Sequence, residues 1–203
     1  REELARSVHF IQNHDNSALW GRGRGFIKTA LIILSTLSGT LLVHDQQLHG
    51  RERLPVQEVP PAVLLNPVDA ADDPAAAEME RVHEPLVALH DSALVQQGDL
   101  DVVHPAHDRL LAYGRSLNDE RLLVVANLSD QPAEGIVPLP PGWALKPDTM
   151  YQFADMTYPF RFSGWPSEHP QPSYQYRGSE LRAFGQQAST AAGLFVKLAP
   201  WGS

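Results

Sequence analysis

The chain has 203 residues, 43% of them hydrophobic, a net charge of −8 and no cysteine. That length admits one large domain or two small ones, each with a buried core. The acidic balance and the lack of a basic stripe argue against a nucleic-acid binder, and disulfides and thiolate metal sites are excluded.

The first apolar run, residues 8–11, has strand length and composition, and it breaks into the polar loop Asn13-His14-Asp15-Asn16. The glycines at 21, 23 and 25 make a flexible link. They do not make a phosphate-cradling loop, because no Lys-Ser/Thr pair follows. Between residues 26 and 37 the apolar side chains fall at Phe26, Ile27, Ala30, Leu31, Ile33, Leu34 and Leu37, the spacing of a well-buried helix that Gly39 ends. Residues 40–44 read as a second strand, again ending in a His-Asp pair, His44-Asp45. Strand, helix, strand is a βαβ unit, and such units build parallel sheets. The apolar stretch over 30–43 is interrupted by Ser35, Ser38 and Gly39 and falls short of the ~20 residues a bilayer span needs. No membrane partner is therefore expected. No signal peptide is read ahead of the first strand, and a cytoplasmic location is expected, with secretion left open.

Residues 51–74 carry Pro55, Pro60, Pro61, Pro67 and Pro74 and read as a long irregular connection. Residues 75–96 are helical by the spacing of Met79, Val82, Leu86, Leu89 and Leu94, with a kink or split expected at Pro85 and a stop at Gly98. Glu78, Glu80, Glu84 and Asp91 read as its solvated face. Beyond Gly98 the pattern changes to short β-rich runs parted by polar turns: "LDVVH", "RLLAYGRS", "RLLVVANLS", "GIVPLP" and "GLFVKLAP". That spacing suggests an antiparallel β-sandwich. Residues 151–190, aromatic and proline-rich, read as a long decorated loop. Trp143, Trp165 and Trp201 suit either the sandwich core or a carbohydrate-binding surface.

The order of motifs resembles the α-amylase family, glycoside hydrolase family 13. "FIQNHDN" at 10–16 is similar to the Phe-x-x-Asn-His-Asp motif that closes barrel strand seven in that family. "TLSGTLLVHDQQLHG" at 36–50 is similar to the strand that begins Gly-Thr-Pro and ends near Gly-Gln-Glu. "EPLVALHDSALVQQGD" at 84–99 looks like the last barrel helix, and "RLLAYGRSLNDERLLVVANLSD" at 109–130 like a strand pair of the C-terminal sandwich. The sequence departs from the pattern at Leu41, which replaces the usual proline, and at Asp45-Gln46-Gln47.

The resemblance implies an α/β plus all-β chain: the closing βαβα segment of a (β/α)8 TIM barrel over 1–98, then an antiparallel β-sandwich over 99–203. It implies a retaining glycoside hydrolase or transglycosylase acting on α-linked gluco-oligosaccharides or glucosides. Asp15 would be the transition-state-stabilising carboxylate, with His14 and Asn13 binding substrate hydroxyls and Trp20 stacking on a sugar face. The nucleophile and the acid/base lie upstream of the motif in the family, so they are expected from the N-terminal barrel polypeptide, in the same precursor or a second chain. No organic cofactor is implied, and structural calcium, common in relatives, has no visible ligand set. Three other readings stand beside this one. Asn13 to Asp15 suit a plain turn. His14, Asp15, His44, Asp45 and His49 are metal-competent types, although His-Asp pairs recur at 90–91 and 107–108 without shared register. The whole chain also suits a non-catalytic carbohydrate-binding or interaction module.

Overall fold

The computed structural model describes residues 2–11, 23–43, 74–157, 173–200 and 202, with backbone alone at 24 and 74–81. The chain divides into two compact units, residues 1–96 and 97–203.

In the first unit, helix α1 (Glu2–Ala5) leads into strand β1 (Val8–His9), helix α2 (Arg24–Ser35) and strand β2 (Thr40–Leu41). β1 and β2 pair in parallel, Val8 opposite Thr40 and His9 opposite Leu41. The Thr40 amide donates to Ser7 O at 3.0 Å and the Leu42 amide to His9 O at 2.9 Å. The regular strands are shorter than the apolar runs, which continue through Ile11 and Val43.

α2 forms because Ile27, Leu31, Ile32 and Ser35 recur on one face, and all four are buried. It packs on helix α3 (Pro74–His90), whose buried Val82, His83, Leu86 and His90 have the same periodicity. Pro85 lies inside α3 without dividing it. The break falls instead at Asp91–Ser92, after which α4 (Ala93–Gln97) begins. Its first turn is closed by Ser92 Oγ, which accepts from the Val95 amide.

α2 ends at Ser35, four residues before the glycine expected to stop it. Thr36 Oγ1 donates to Ile32 O at 2.8 Å and to Ile33 O at 3.0 Å, satisfying carbonyls that the last turn leaves open. Gly39 has a different role. Its φ of +124° lies where side chains are rarely tolerated, and a Cβ there would press on Leu4 O and stand 2.7 Å from Ser7 O. The glycine lets β2 start tight against the turn that precedes β1.

Among its described residues the second unit holds three antiparallel sheets. Strands β3 (Asp99–Val103), β4 (Leu110–Leu117) and β5 (Glu120–Asn127) form a meander. β6 (Ala133–Pro138) pairs with β9 (Gly193–Leu198), and β7 (Met150–Ala154) with β8 (Ser173–Arg177). The β4–β5 connection is the tight turn Asn118-Asp119, with Leu117 paired to Glu120 and Asn118 at φ 52°, a conformation asparagine tolerates. Val103, Leu110 and Ala112 from the meander cluster with Ala133, Val137 and Leu198 from the β6–β9 pair into one core.

The region expected to be a loop over 151–190 differs in its described residues. It contains most of β7, all of β8 and helix α5 (Gly178–Gln187). The alternation hides behind aromatics used on one face only: Phe153 packs edge-on to Tyr176 with centroids 6.2 Å apart, and Tyr176 edge-on to Phe184 of α5 at 6.0 Å. α5 starts where Glu180 Oε2 accepts from the Arg177 amide at 2.6 Å, and it is anchored by the fully buried Leu181.

Candidate functional site

Asn13, His14, Asp15 and Trp20 lie outside the described residues, as do His44, Asp45 and His49. The structure describes what flanks them. β1 and β2 run in the same direction, so the segments 12–22 and 44–73 follow the same, C-terminal, end of the pair. In a parallel α/β sheet that is the end at which reactive groups collect, because strands stop there and polar loops take over.

The two faces of the pair differ. Ile11 is buried, while Leu41 and Val43 line a cavity of about 510 Å³ together with Val87, His90 and Asp91 of α3 and its following turn. The opposite face exposes Val8 at 55%, Phe10 at 41% and Leu42 at 45%. Alternation along each strand therefore sends one set of side chains toward helix and the other into open space.

At the start of β2 a group of partly buried polar contacts was not anticipated from the sequence, where His90-Asp91 looked like one more repeated dipeptide. His90, 4% exposed, donates from Nε2 to Gly39 O at 3.1 Å. Gln96 Oε1 accepts from the Gly39 amide at 3.2 Å, and Gln96 Nε2 donates to His90 O at 2.8 Å. Both backbone groups of Gly39 are thus taken by side chains from the end of α3 and from α4. His9 Nε2 contacts Ser38 O at 2.9 Å from the neighbouring strand. The only sequence signal for this cluster was the helical spacing 82, 86, 90, which puts His90 on the buried face of α3.

Asp91 and Glu84 are exposed, as expected for a solvated face. His107-Asp108 sits in the turn before β4 rather than on a strand: His107 Nδ1 accepts from the Arg109 amide at 3.2 Å, and Asp108 is almost wholly exposed. Among the described residues no three His, Asp or Glu side chains gather as a metal site, and no helix is long and apolar enough to cross a membrane. Trp143 follows Pro141-Gly142 in a short 3-10 turn beside Gly114. Trp165 and Trp201 lie outside the described residues.

Residues 100–151 match the family described as Maltogenic Amylase, C-terminal domain. No curated protein matches the sequence. Among solved structures, a noncanonic maltogenic α-amylase, AmyB, from Thermotoga neapolitana is 12% identical, with the match covering 96% of this chain and 39% of that one at a TM-score of 0.63. An α-amylase from Geobacillus thermoleovorans, complexed with acarbose, is 14% identical over 97% of this chain and 37% of its own, with a TM-score of 0.61. Trehalose-6-phosphate hydrolase from Bacillus licheniformis is 15% identical over 84% of this chain and 42% of its own, with a TM-score of 0.52. At such identities the likeness is one of fold, and this chain spans about two fifths of the length of those structures.

Proposed function

We propose, from the premise that residues 100–151 belong with the maltogenic amylase C-terminal domains and that the fold is shared with α-amylase-family glycoside hydrolases, that this chain is the C-terminal part of a retaining enzyme that cleaves or transfers α-glucosidic bonds. In this reading residues 1–98 are the closing βαβα portion of a (β/α)8 barrel and residues 99–203 the C-terminal antiparallel β-sandwich. The observation that carries it is the β1–α2–β2 unit, a parallel pair with one face toward helix and the other open, in the same chain as a family-matched second unit.

Asp15 follows the C-terminal end of β1, where barrel enzymes assemble their chemistry. Positive charge develops at the anomeric carbon as the glycosidic bond breaks, and a fixed carboxylate in a water-poor cleft lowers that barrier by several kcal/mol. His14 and Asn13 hydrogen-bond hydroxyls of the same ring, and Trp20 offers its face to a pyranose. The nucleophile carboxylate and the acid/base carboxyl, about 5–5.5 Å apart in retaining enzymes, come from the rest of the barrel, in the same precursor or in a second chain. The acid protonates the leaving oxygen while the nucleophile forms a glycosyl-enzyme. The same group then deprotonates the water or acceptor hydroxyl that releases the sugar. No organic cofactor enters these steps. Among the described residues no three His, Asp or Glu side chains gather as a calcium site, and no step runs through that ion.

The test is Asp15→Asn in the complete barrel assembly, assayed on maltooligosaccharides. The amide keeps the shape and loses the charge, so kcat/KM is expected to fall by about 100- to 1,000-fold. Undiminished turnover removes Asp15 from the mechanism. A second reading, a non-catalytic carbohydrate-binding or interaction module, is favoured by one observation: the second unit has its own core. It wins if the 203-residue chain alone is a monomer that binds maltooligosaccharides in calorimetry without hydrolysing them.

A further inference from the structure

We infer that His9 is a positioning residue: its ring fixes the register of β1 against β2 and, through it, the place of the polar loop that follows β1. The ladder itself is a weak register mark. Among the described residues it is two pairs long, Val8 with Thr40 and His9 with Leu41, and parallel pairing is the less stable kind per residue. Register is otherwise set by polar and apolar side chains alternating along a strand. Leu41, Leu42 and Val43 offer no such alternation.

His9 is the one polar side chain in the run 8–11. It is half-buried, and its Nε2 lies 2.9 Å from Ser38 O. A carbonyl only accepts, so Nε2 carries the hydrogen. The acceptor is backbone, so the bond marks a position along the chain. The turn that it grips is itself held. The Gly39 amide donates to Gln96 Oε1, and Gly39 O accepts from His90 Nε2. A Cβ on Gly39 would stand 2.7 Å from Ser7 O and 3.0 Å from His9 Nε2, so β1 approaches this turn closely. Residues 38–39 are thus tied to α3 and α4, and His9 ties β1 to that fixed point. The smallest slip that keeps each face on its own side is one of two residues. It would carry everything after β1 by about 6.6 Å and take Nε2 out of reach of Ser38 O. Asp15 lies six positions beyond His9. The inference rests on the catalytic reading of Asp15 given above, because a misplacement of about 1 Å in a reacting site can lower a rate 100-fold. His9 acts through that carboxylate rather than on substrate.

The test is a double-mutant cycle in the complete barrel assembly, assayed on maltooligosaccharides. His9→Phe keeps a ring and loses the donor, whereas His9→Gln keeps a donor. With Asp15 in place, His9→Phe is expected to lower kcat/KM by about 10- to 100-fold, and His9→Gln to hold it within about threefold of the unmutated assembly. In the Asp15→Asn background His9→Phe is expected to change kcat/KM by less than about twofold, because the charge it positions is gone. An equal loss in both backgrounds overturns the proposal, since His9 then only holds the fold together. No loss from His9→Phe overturns it too. Undiminished turnover in Asp15→Asn removes the catalytic reading of Asp15 and the positioning role with it. A full loss in Asp15→Asn beside an additive loss from His9→Phe removes His9 alone and spares Asp15. Folding of each variant is checked by its denaturant midpoint. If His9→Phe does not fold, His9→Asn, whose shorter amide falls short of Ser38 O, takes its place in the cycle.

Discussion

Asn127 is the side chain in the second unit whose chemistry is most completely specified. It is wholly buried, and its amide makes four contacts: Nδ2 donates to Gln131 O at 2.6 Å and to Ala199 O at 2.9 Å, while Oδ1 accepts from the Ser129 amide and hydroxyl. It ties the end of β5 to the turn before β6 and to the segment after β9. Asn127→Ala takes the donors from the Gln131 and Ala199 carbonyls and the acceptor from Ser129, and is expected to cost about 2 kcal/mol, read as a lower denaturant midpoint at unchanged slope. Asn127→Asp keeps the acceptor and loses the donors, so it should destabilise nearly as much. Gly39 is constrained by space and backbone angle rather than by hydrogen-bond donors. Gly39→Ala adds a Cβ against Leu4 O at positive φ and is expected to destabilise the first unit by about 2–4 kcal/mol. The check is faster exchange of the Thr40 and Leu42 amides, with β4 and β5 unaffected.

At the scale of elements, helices α2 and α3 follow from apolar spacing alone, since Ile27, Leu31, Val82, Leu86 and His90 sit at helical intervals and are buried. Of the kink or split expected at Pro85, the split does not occur, because the helix runs through the proline. A proline is tolerated where the lost hydrogen bond and local crowding are absorbed by packing, and Val82 and Leu86 on either side of it are buried. The chain turns instead at Asp91-Ser92, where Ser92 supplies the cap for α4. α5 is the opposite case. Gly185 and the polar run around it weaken the local helical signal, and the helix is held by Leu181, by Phe184 on Tyr176 and by the Glu180 contact to the Arg177 amide. Glu180→Ala should reduce stability by about 1 kcal/mol. Leu181→Ala should cost about 2–5 kcal/mol, because it opens a cavity where the side chain has no exposed surface. Equilibrium denaturation separates the two.

At the scale of the whole molecule, the first unit exposes Val8, Phe10 and Leu42 on one sheet face. Parallel sheets are normally covered on both faces, and exposed apolar patches mark places where other polypeptide belongs. The 203-residue chain alone is therefore expected to bind a hydrophobic dye such as ANS, with the signal lost in the complete barrel assembly. A replacement of Phe10 and Leu42 by serine should lower dye binding in the isolated chain. Unchanged dye fluorescence in that double variant would assign the binding to another surface.

How much was legible in the sequence follows from what each feature depends on. The amphipathic helices, the alternating strands of the meander and the tight turn at Asn118 are local consequences of side-chain order, and they read directly. The ordered motifs from residue 10 to residue 130 resemble those of the α-amylase family, and residues 100–151 match the family described as Maltogenic Amylase, C-terminal domain. Asp15, His14, Asn13 and Trp20 owe their proposed roles to that resemblance and lie outside the described residues. The polar seal at Gly39 was not legible: Gln96 and His90 reach a glycine more than fifty positions away, and no local pattern records which backbone groups a fold leaves over. β8 and α5 were missed for a related reason. Their aromatic and polar residues have little periodicity alone, and only packing between Phe153, Tyr176 and Phe184 decides that they are ordered elements. Sequence by itself determined where apolar faces exist. Tertiary structure decided which of those faces are already covered and that the one carrying Val8, Phe10 and Leu42 is exposed, because coverage depends on residues far apart in the chain meeting in space.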